Sequence, residues 1–93
     1  MDLRNETMLF NTAGVFPVLV YLDGKKKDIL TNIIANVGHS SHQVMRVVMV
    51  LERHGLVREE RSKKYNCRYI IITPNGEKVA GFVKKIMELV EHE

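Results

Sequence analysis

His42, Arg46, Met49 and Arg53 recur at i, i+4, i+7 and i+11 within residues 40–57, SSHQVMRVVMVLERHGLV. At about 100° per residue such a spacing places them on one face of a helix. A guanidinium presents a planar fork of donors that suits phosphate oxygens or the acceptor edge of a base, and an imidazole can donate or accept beside it. Val44, Val47, Val48 and Leu51 fall on the opposite face, where only a core can use them. One side of this helix is apolar and the other is basic and hydrogen-bonding. Followed at once by a charged hairpin, it reads as a helix presented to DNA.

Other chemistries find less support. His39 and His42 stand three apart, a spacing that can begin a metal site, but no further ligands follow at a familiar spacing. Cys67 with His54 is a conceivable redox- or metal-responsive pair; the plainer reading of Cys67 is a small residue at a strand start. The chain has no nucleotide loop, no Gly-x-Ser-x-Gly and no acids paired in a recognisable cleft. No enzyme activity, cofactor or metal site is therefore assigned.

The totals agree with a small globular protein. Ninety-three residues leave room for one core, so residues 1–93 are expected to form a single domain. A hydrophobic share of 45% and a charged share of 27% are those of an ordinary globular chain. The net charge of +3 permits nucleic acid without demanding it, so the location of the charges must decide. One cysteine excludes an intrachain disulfide and fits a reducing compartment. The longest apolar run, residues 15–22, is broken by Pro17 and too short to span a bilayer, and no secretion signal is visible. No membrane partner is expected, and a cytoplasmic location is.

The elements that must position the basic face can be taken in order. Residues 1–12 form an arm in which Asn5 and Thr7 are able to cap a turn and Met8, Leu9 and Phe10 are apolar. Pro17 suits a first helical turn, so a helix is predicted over about residues 15–22, buried through Val18, Leu19 and Leu22 and stopped by Asp23-Gly24. Lys25, Lys26 and Lys27 are predicted to open a second helix ending near Asn36, with Ile29, Ile33 and Ile34 inward. Three lysines at a helix start oppose the macrodipole; either they face phosphate or they are simply solvated. Residues 37–39 make a short glycine-containing turn into the helix at 40–54, which is helix-turn-helix spacing. Residues 56–61 and 68–73 read as strands around a polar loop at 62–66, and Arg58, Arg61, Lys63, Lys64 and Arg68 make this hairpin the densest basic cluster of the chain. A last helix starts at Asn75 or Gly76 and runs to about Glu91. Its stripe of Val79, Phe82, Val83, Ile86, Leu89 and Val90 is wider than so small a domain can cover, so Phe82, Val83, Ile86, Leu89 and Val90 are expected at a two-fold homodimer interface.

Two motifs carry a family resemblance. Leu51-Glu52-Arg53-His54-Gly55-Leu56-Val57 resembles the Leu-x-x-x-Gly-Leu-Val ending of recognition helices in MarR-, ArsR- and PadR-type transcriptional regulators. Arg68, five residues before Thr73-Pro74-Asn75-Gly76, is similar to the Arg…Leu-Thr-x-x-Gly of MarR-like wings. Where those wings usually carry aspartate two residues before the arginine, this chain has Asn66. It is also shorter than typical members, and a compact archaeal- or phage-style regulator fits equally. The fold implied is α+β and mostly α: a winged helix-turn-helix with a two-stranded wing and a C-terminal dimerisation helix, divided as arm 1–12, helix-turn-helix and wing 13–73, and helix 74–93.

The resemblance also implies roles. The recognition helix, about residues 40–54, enters the major groove of double-stranded DNA, where Ser41, His42, Gln43 and Arg46 are the base-reading candidates. Arg46 suits guanine and Gln43 suits adenine. Met45 and Met49 either touch thymine methyls or are merely exposed or partner-facing. Arg53 completes the basic face; Arg61, Lys63, Lys64 and Arg68 place the wing, residues 58–68, on flanking backbone or minor groove; Lys25, Lys26 and Lys27 meet phosphate. Two rival readings stay open: a winged-helix protein-interaction module, and a non-specific nucleoid DNA-binding protein.

Overall fold

The helix at the centre forms where its apolar spacing says it should. In the computed structural model, which describes residues 8–91, helix α3 (Ser41–Arg53) begins at Ser40, whose Oγ accepts from the backbone N–H of Gln43 at 3.1 Å. Val44, Val47, Val48, Val50 and Leu51 are buried on its inner side. Val50 thus adds a fifth aliphatic to the four anticipated. Gly55, at φ 72°, reverses the chain into the wing.

Before α3 come helix α1 (Val15–Lys25), strand β1 (Lys27–Ile29) and helix α2 (Leu30–Val37). Val15, Val18, Leu19 and Leu22 are the buried stripe of α1, which continues through Asp23-Gly24 instead of stopping there. The reversal falls at Lys26, with φ 69°, whose N–H donates to the Leu22 carbonyl. The lysine triplet therefore does not open a helix. Lys25 ends α1, Lys26 makes the turn, and Lys27 starts a strand. This corrects the expectation physically as well: positive charge at a helix C-terminus is favourable, whereas at a start it is not. Helix α2 begins only at Leu30, and Ile29 is its N-cap rather than part of its buried stripe, which is Leu30 and Ile33.

After α3, strands β2 (Val57–Ser62) and β3 (Cys67–Ile72) form the wing, and β1 adds to the far edge of β3, all antiparallel in the order β1-β3-β2. Paired residues share a face, so Val57 with Ile72, Glu59 with Ile70 and Arg61 with Arg68 lie on the core-facing side, polar toward the tip. Residues 63–66 close the hairpin, with Asn66 left-handed at φ 51°.

Helix α4 (Pro74–Glu91) is capped by Thr73, whose Oγ1 accepts from the Gly76 N–H at 3.0 Å and donates to the Gly55 carbonyl at 2.7 Å. The two family-like motifs thus meet: Thr73 N–H donates to the Leu56 carbonyl at 3.0 Å, and Gly76 is pressed so closely on Leu56 that a Cβ there would lie 2.1 Å from its carbonyl oxygen. Beyond this junction α4 commits little to the interior. Only Gly76 and Ala80 are buried, while Phe82, Ile86, Met87, Leu89 and Val90 are exposed. Residues 8–11 are helical, and Phe10 packs on Phe16 with ring centroids 5.8 Å apart. Together with Pro17, Val20, Val83, Ile86 and Met87 they line an apolar groove of about 630 Å³. The capping roles expected of Asn5 and Thr7 lie outside the described residues, as do residues 92 and 93.

Candidate nucleic-acid interface

The outward side of α3 is exposed along its length. Ser41, His42, Met45, Arg46, Met49 and Arg53 all face solvent, Met49 with 65% of its surface accessible. Gln43 differs. It is half-buried, and its Nε2 donates to the Ala13 carbonyl at 2.7 Å. Arg53 also has an internal contact, Nη1 donating to Met8 Sδ at 3.4 Å. Among the described residues no polar side chain is fully buried, so the charges of this face act through solvent and are screened by salt.

Not all of the hairpin's five cations are available. Arg68 Nε and Nη2 both donate to Glu59 Oε1, at 3.1 and 2.6 Å, and Glu59 raises the arginine's already high pKa against the opposing effect of burial. Arg58 stands 3.5 Å from Glu60. Among the described residues Arg61, Lys63 and Lys64 form no ion pair. Three cations at and near the tip therefore remain for an external anion. Beside them Tyr65 is exposed at the tip, with Lys64 Nζ 5.3 Å from its ring centre. Sequence reasoning passed over Tyr65, although a lone aromatic in a polar loop is itself the signal.

The lysine triplet is dispersed. Lys26 joins Asp23 and Glu77, each at 3.1 Å, and Asp23 also holds Lys84 of α4. Lys84 first, and then Lys26, keeps the Asp23 carboxyl below the usual range. Lys27 Nζ sits 4.6 Å above the Tyr69 ring. Lys25 is exposed. Lys26 ties α1 to α4, so these three do not form one phosphate-facing group.

The residues weighed for metal or redox chemistry also separate. His39 is half-buried against Gly14, whereas His42 is exposed. Cys67 Sγ donates to the Tyr65 carbonyl within the wing turn at 3.4 Å. Among the described residues no three His, Cys, Asp or Glu side chains gather as a metal site would require, and no helix is long and apolar enough to cross a membrane.

The chain matches no family model and no curated protein by sequence. Its fold is nevertheless shared with solved transcriptional regulators. BpsR of Bordetella bronchiseptica, described for regulation of its DNA binding by 6-hydroxynicotinic acid, superposes with a TM-score of 0.78 at 17% identity, over 95% of this chain and 73% of that one. A transcriptional regulator homologue from Pyrococcus horikoshii OT3 gives 0.71 at 20% identity, over 80% and 76%. Reduced AbfR bound to DNA gives 0.71 at 25% identity, over 87% of this chain and 59% of that chain. The winged helix-turn-helix anticipated from the two motifs is therefore the fold of this chain.

Proposed function

We propose that this chain is a transcriptional regulator that binds double-stranded DNA sequence-specifically as a homodimer. The observation that carries the reading is the outward side of α3: it offers Ser41, His42 and Arg46 near the helix start, unsealed by any other part of the described chain. In a helix-turn-helix those are the positions that reach base edges in the major groove. Arg46 is the residue for a bidentate contact to guanine. Arg61, Lys63 and Lys64 would hold the wing on flanking phosphates, which set affinity and register rather than sequence. AbfR, which shares the fold, is bound to DNA in its solved structure.

Helix α4 supports the homodimer. About 27 Å of helix carries Phe82, Ile86, Leu89 and Val90 outward from its midpoint onward. Lys78 and Lys85 precede Glu88 and Glu91, so antiparallel packing of two copies about a two-fold axis would bring unlike charges together. Two recognition helices would then read a palindromic site with half-sites about one helical turn apart.

A gel-shift titration in salt tests the reading. With roughly 6–10 phosphates engaged, affinity is expected to fall about 10³–10⁵-fold between 50 and 200 mM salt, and a flat response would count against it. Competition with unrelated duplex separates a regulator from a nucleoid-type coating protein, which would show no preference. The exposed Met45 and Met49 favour a second reading, a protein-docking surface, and that reading is upheld if no duplex competes at all.

A further inference from the structure

Helix α3 is held from outside the core near both of its ends. At its first turn the Gln43 carboxamide donates to the Ala13 carbonyl at 2.7 Å, and the Gln43 backbone N–H is taken by Ser40 Oγ. His39 lies against the next residue of the same corner: a Cβ on Gly14 would stand 3.1 Å from the ring's Cδ2 and Nε2. Gly14 adopts φ 95°, a conformation other residues rarely take, so this corner is built around the close approach. At the last turn Arg53 donates to Met8 Sδ. Ser41, His42 and Arg46 are exposed, whereas Gln43 between them is half-buried.

A glutamine that reads adenine must offer both its donor and its acceptor to the base edge. Here one N–H of the carboxamide is given to the chain's own backbone, which fixes the direction of the whole group toward residue 13, and turning it to a base would leave the Ala13 carbonyl without that partner. We infer that Gln43 is a positioning residue and not a base reader: it anchors the first turn of α3 to the corner at residues 13–14, and sequence preference rests on Ser41, His42 and Arg46. The inference deepens the DNA-binding reading above and depends on it. Loosening the corner lowers the fraction of molecules holding α3 in the competent pose, and affinity for every site falls by that fraction.

The test uses Gln43→Met, which keeps length and helix propensity but has no donor, with Arg46→Ala beside it. Selection from random duplex DNA is expected to return the same site for Gln43→Met as for the parent, and a site degenerate at one base pair for Arg46→Ala. Measured well below the unfolding temperature, Gln43→Met should bind all sites about 2- to 10-fold more weakly, the fold-change of one net hydrogen bond. A residue that served only stability would leave affinity unmoved there. Without DNA, amide exchange at Thr12 and Val15, whose N–H groups are the bonded ones at this corner, should quicken. A Gln43→Met selection altered at one base pair, unchanged affinity, or unchanged exchange each overturns the assignment. If the parent selects no site, the regulator reading fails and takes the role of Gln43 toward DNA with it, while quickened exchange would still establish the contact itself.

Discussion

Helices α3 and α4 carry the same kind of periodic signal and resolve it in opposite ways. In α3 five aliphatic side chains are consumed by the interior, and what remains outside is polar or charged apart from Met45 and Met49. In α4 the interior takes only a glycine and an alanine, and the large apolar side chains are left outside. Leu51 is 0% accessible and Leu89 is 76% accessible, although each sits on the apolar stripe of its helix. Amphipathic spacing therefore marks a surface that must be covered without saying by what. For α3 the cover is the same chain; for α4 we propose a second copy.

The largest effect should separate the two stripes. Leu51→Ala removes a fully buried side chain and is expected to cost about 2–5 kcal/mol of stability. Leu89→Ala should leave the unfolding of dilute monomer almost unchanged and act only on self-association. Chemical denaturation at two protein concentrations measures both; equal losses for the two variants would erase the distinction. Gly76→Ala comes next. Its added methyl meets backbone at the Leu56 carbonyl, which cannot step aside, so a loss of about 3 kcal/mol is expected, at the upper end for overpacking. An unshifted melting temperature would show that the junction between wing and α4 is softer than its geometry implies.

A smaller effect sharpens the division within the basic surface. Arg46→Ala should cost about 1–3 kcal/mol at one base-pair position, whereas Lys64→Ala should weaken all sequences alike and reduce the salt slope by about one. Binding isotherms on matched and singly mismatched duplexes distinguish them. If both variants behaved alike, α3 and the wing would not differ in what they read.

How much of this was legible depended on how local each signal was. Helix α3 and the wing strands to within a residue could be read because side-chain spacing and turn chemistry are local. Strand β1 could not: Lys27-Asp28-Ile29 has no strand pattern of its own and exists because Tyr69–Ile71 of β3 offers it an edge. The lysine triplet was misplaced for a related reason. Lys26 is fixed by Glu77, 51 residues away, and no window along the chain contains both. Within the candidate site, identity and exposure of Arg46 were readable from helical spacing. The engagement of Gln43 by Ala13 and of Arg68 by Glu59 was not, since charge and donor type do not reveal whether a group is already satisfied.

The smallest effect concerns the edge that local reading missed. Burial pushes the Asp28 carboxyl up, but hydrogen bonds from the Tyr21 hydroxyl, the Asn32 amide and the Ile29 N–H together outweigh it, and its pKa lies below the ordinary aspartate value. A carboxylate with a depressed folded pKa adds stability that is fully present above its unfolded pKa, about 3.9, and is lost as pH falls through the folded value. Tyr21 is the reverse case. Donating to Asp28 raises its pKa above the usual 10.0, so its contribution is present below that pH and fades as alkali removes the proton. Asp28→Asn should therefore flatten both limbs of the stability–pH curve, since Asp28 is also what raises Tyr21, whereas Tyr21→Phe should flatten the alkaline limb and only part of the acid limb, the bonds from Asn32 and Ile29 remaining. Urea midpoints measured from pH 3 to 11 read both limbs. An acid limb unchanged by Asp28→Asn would assign it instead to Asp23, whose carboxyl is held low by Lys84 and Lys26 at the join of α1 and α4. The shortest strand would then owe its place to backbone pairing with β3 alone.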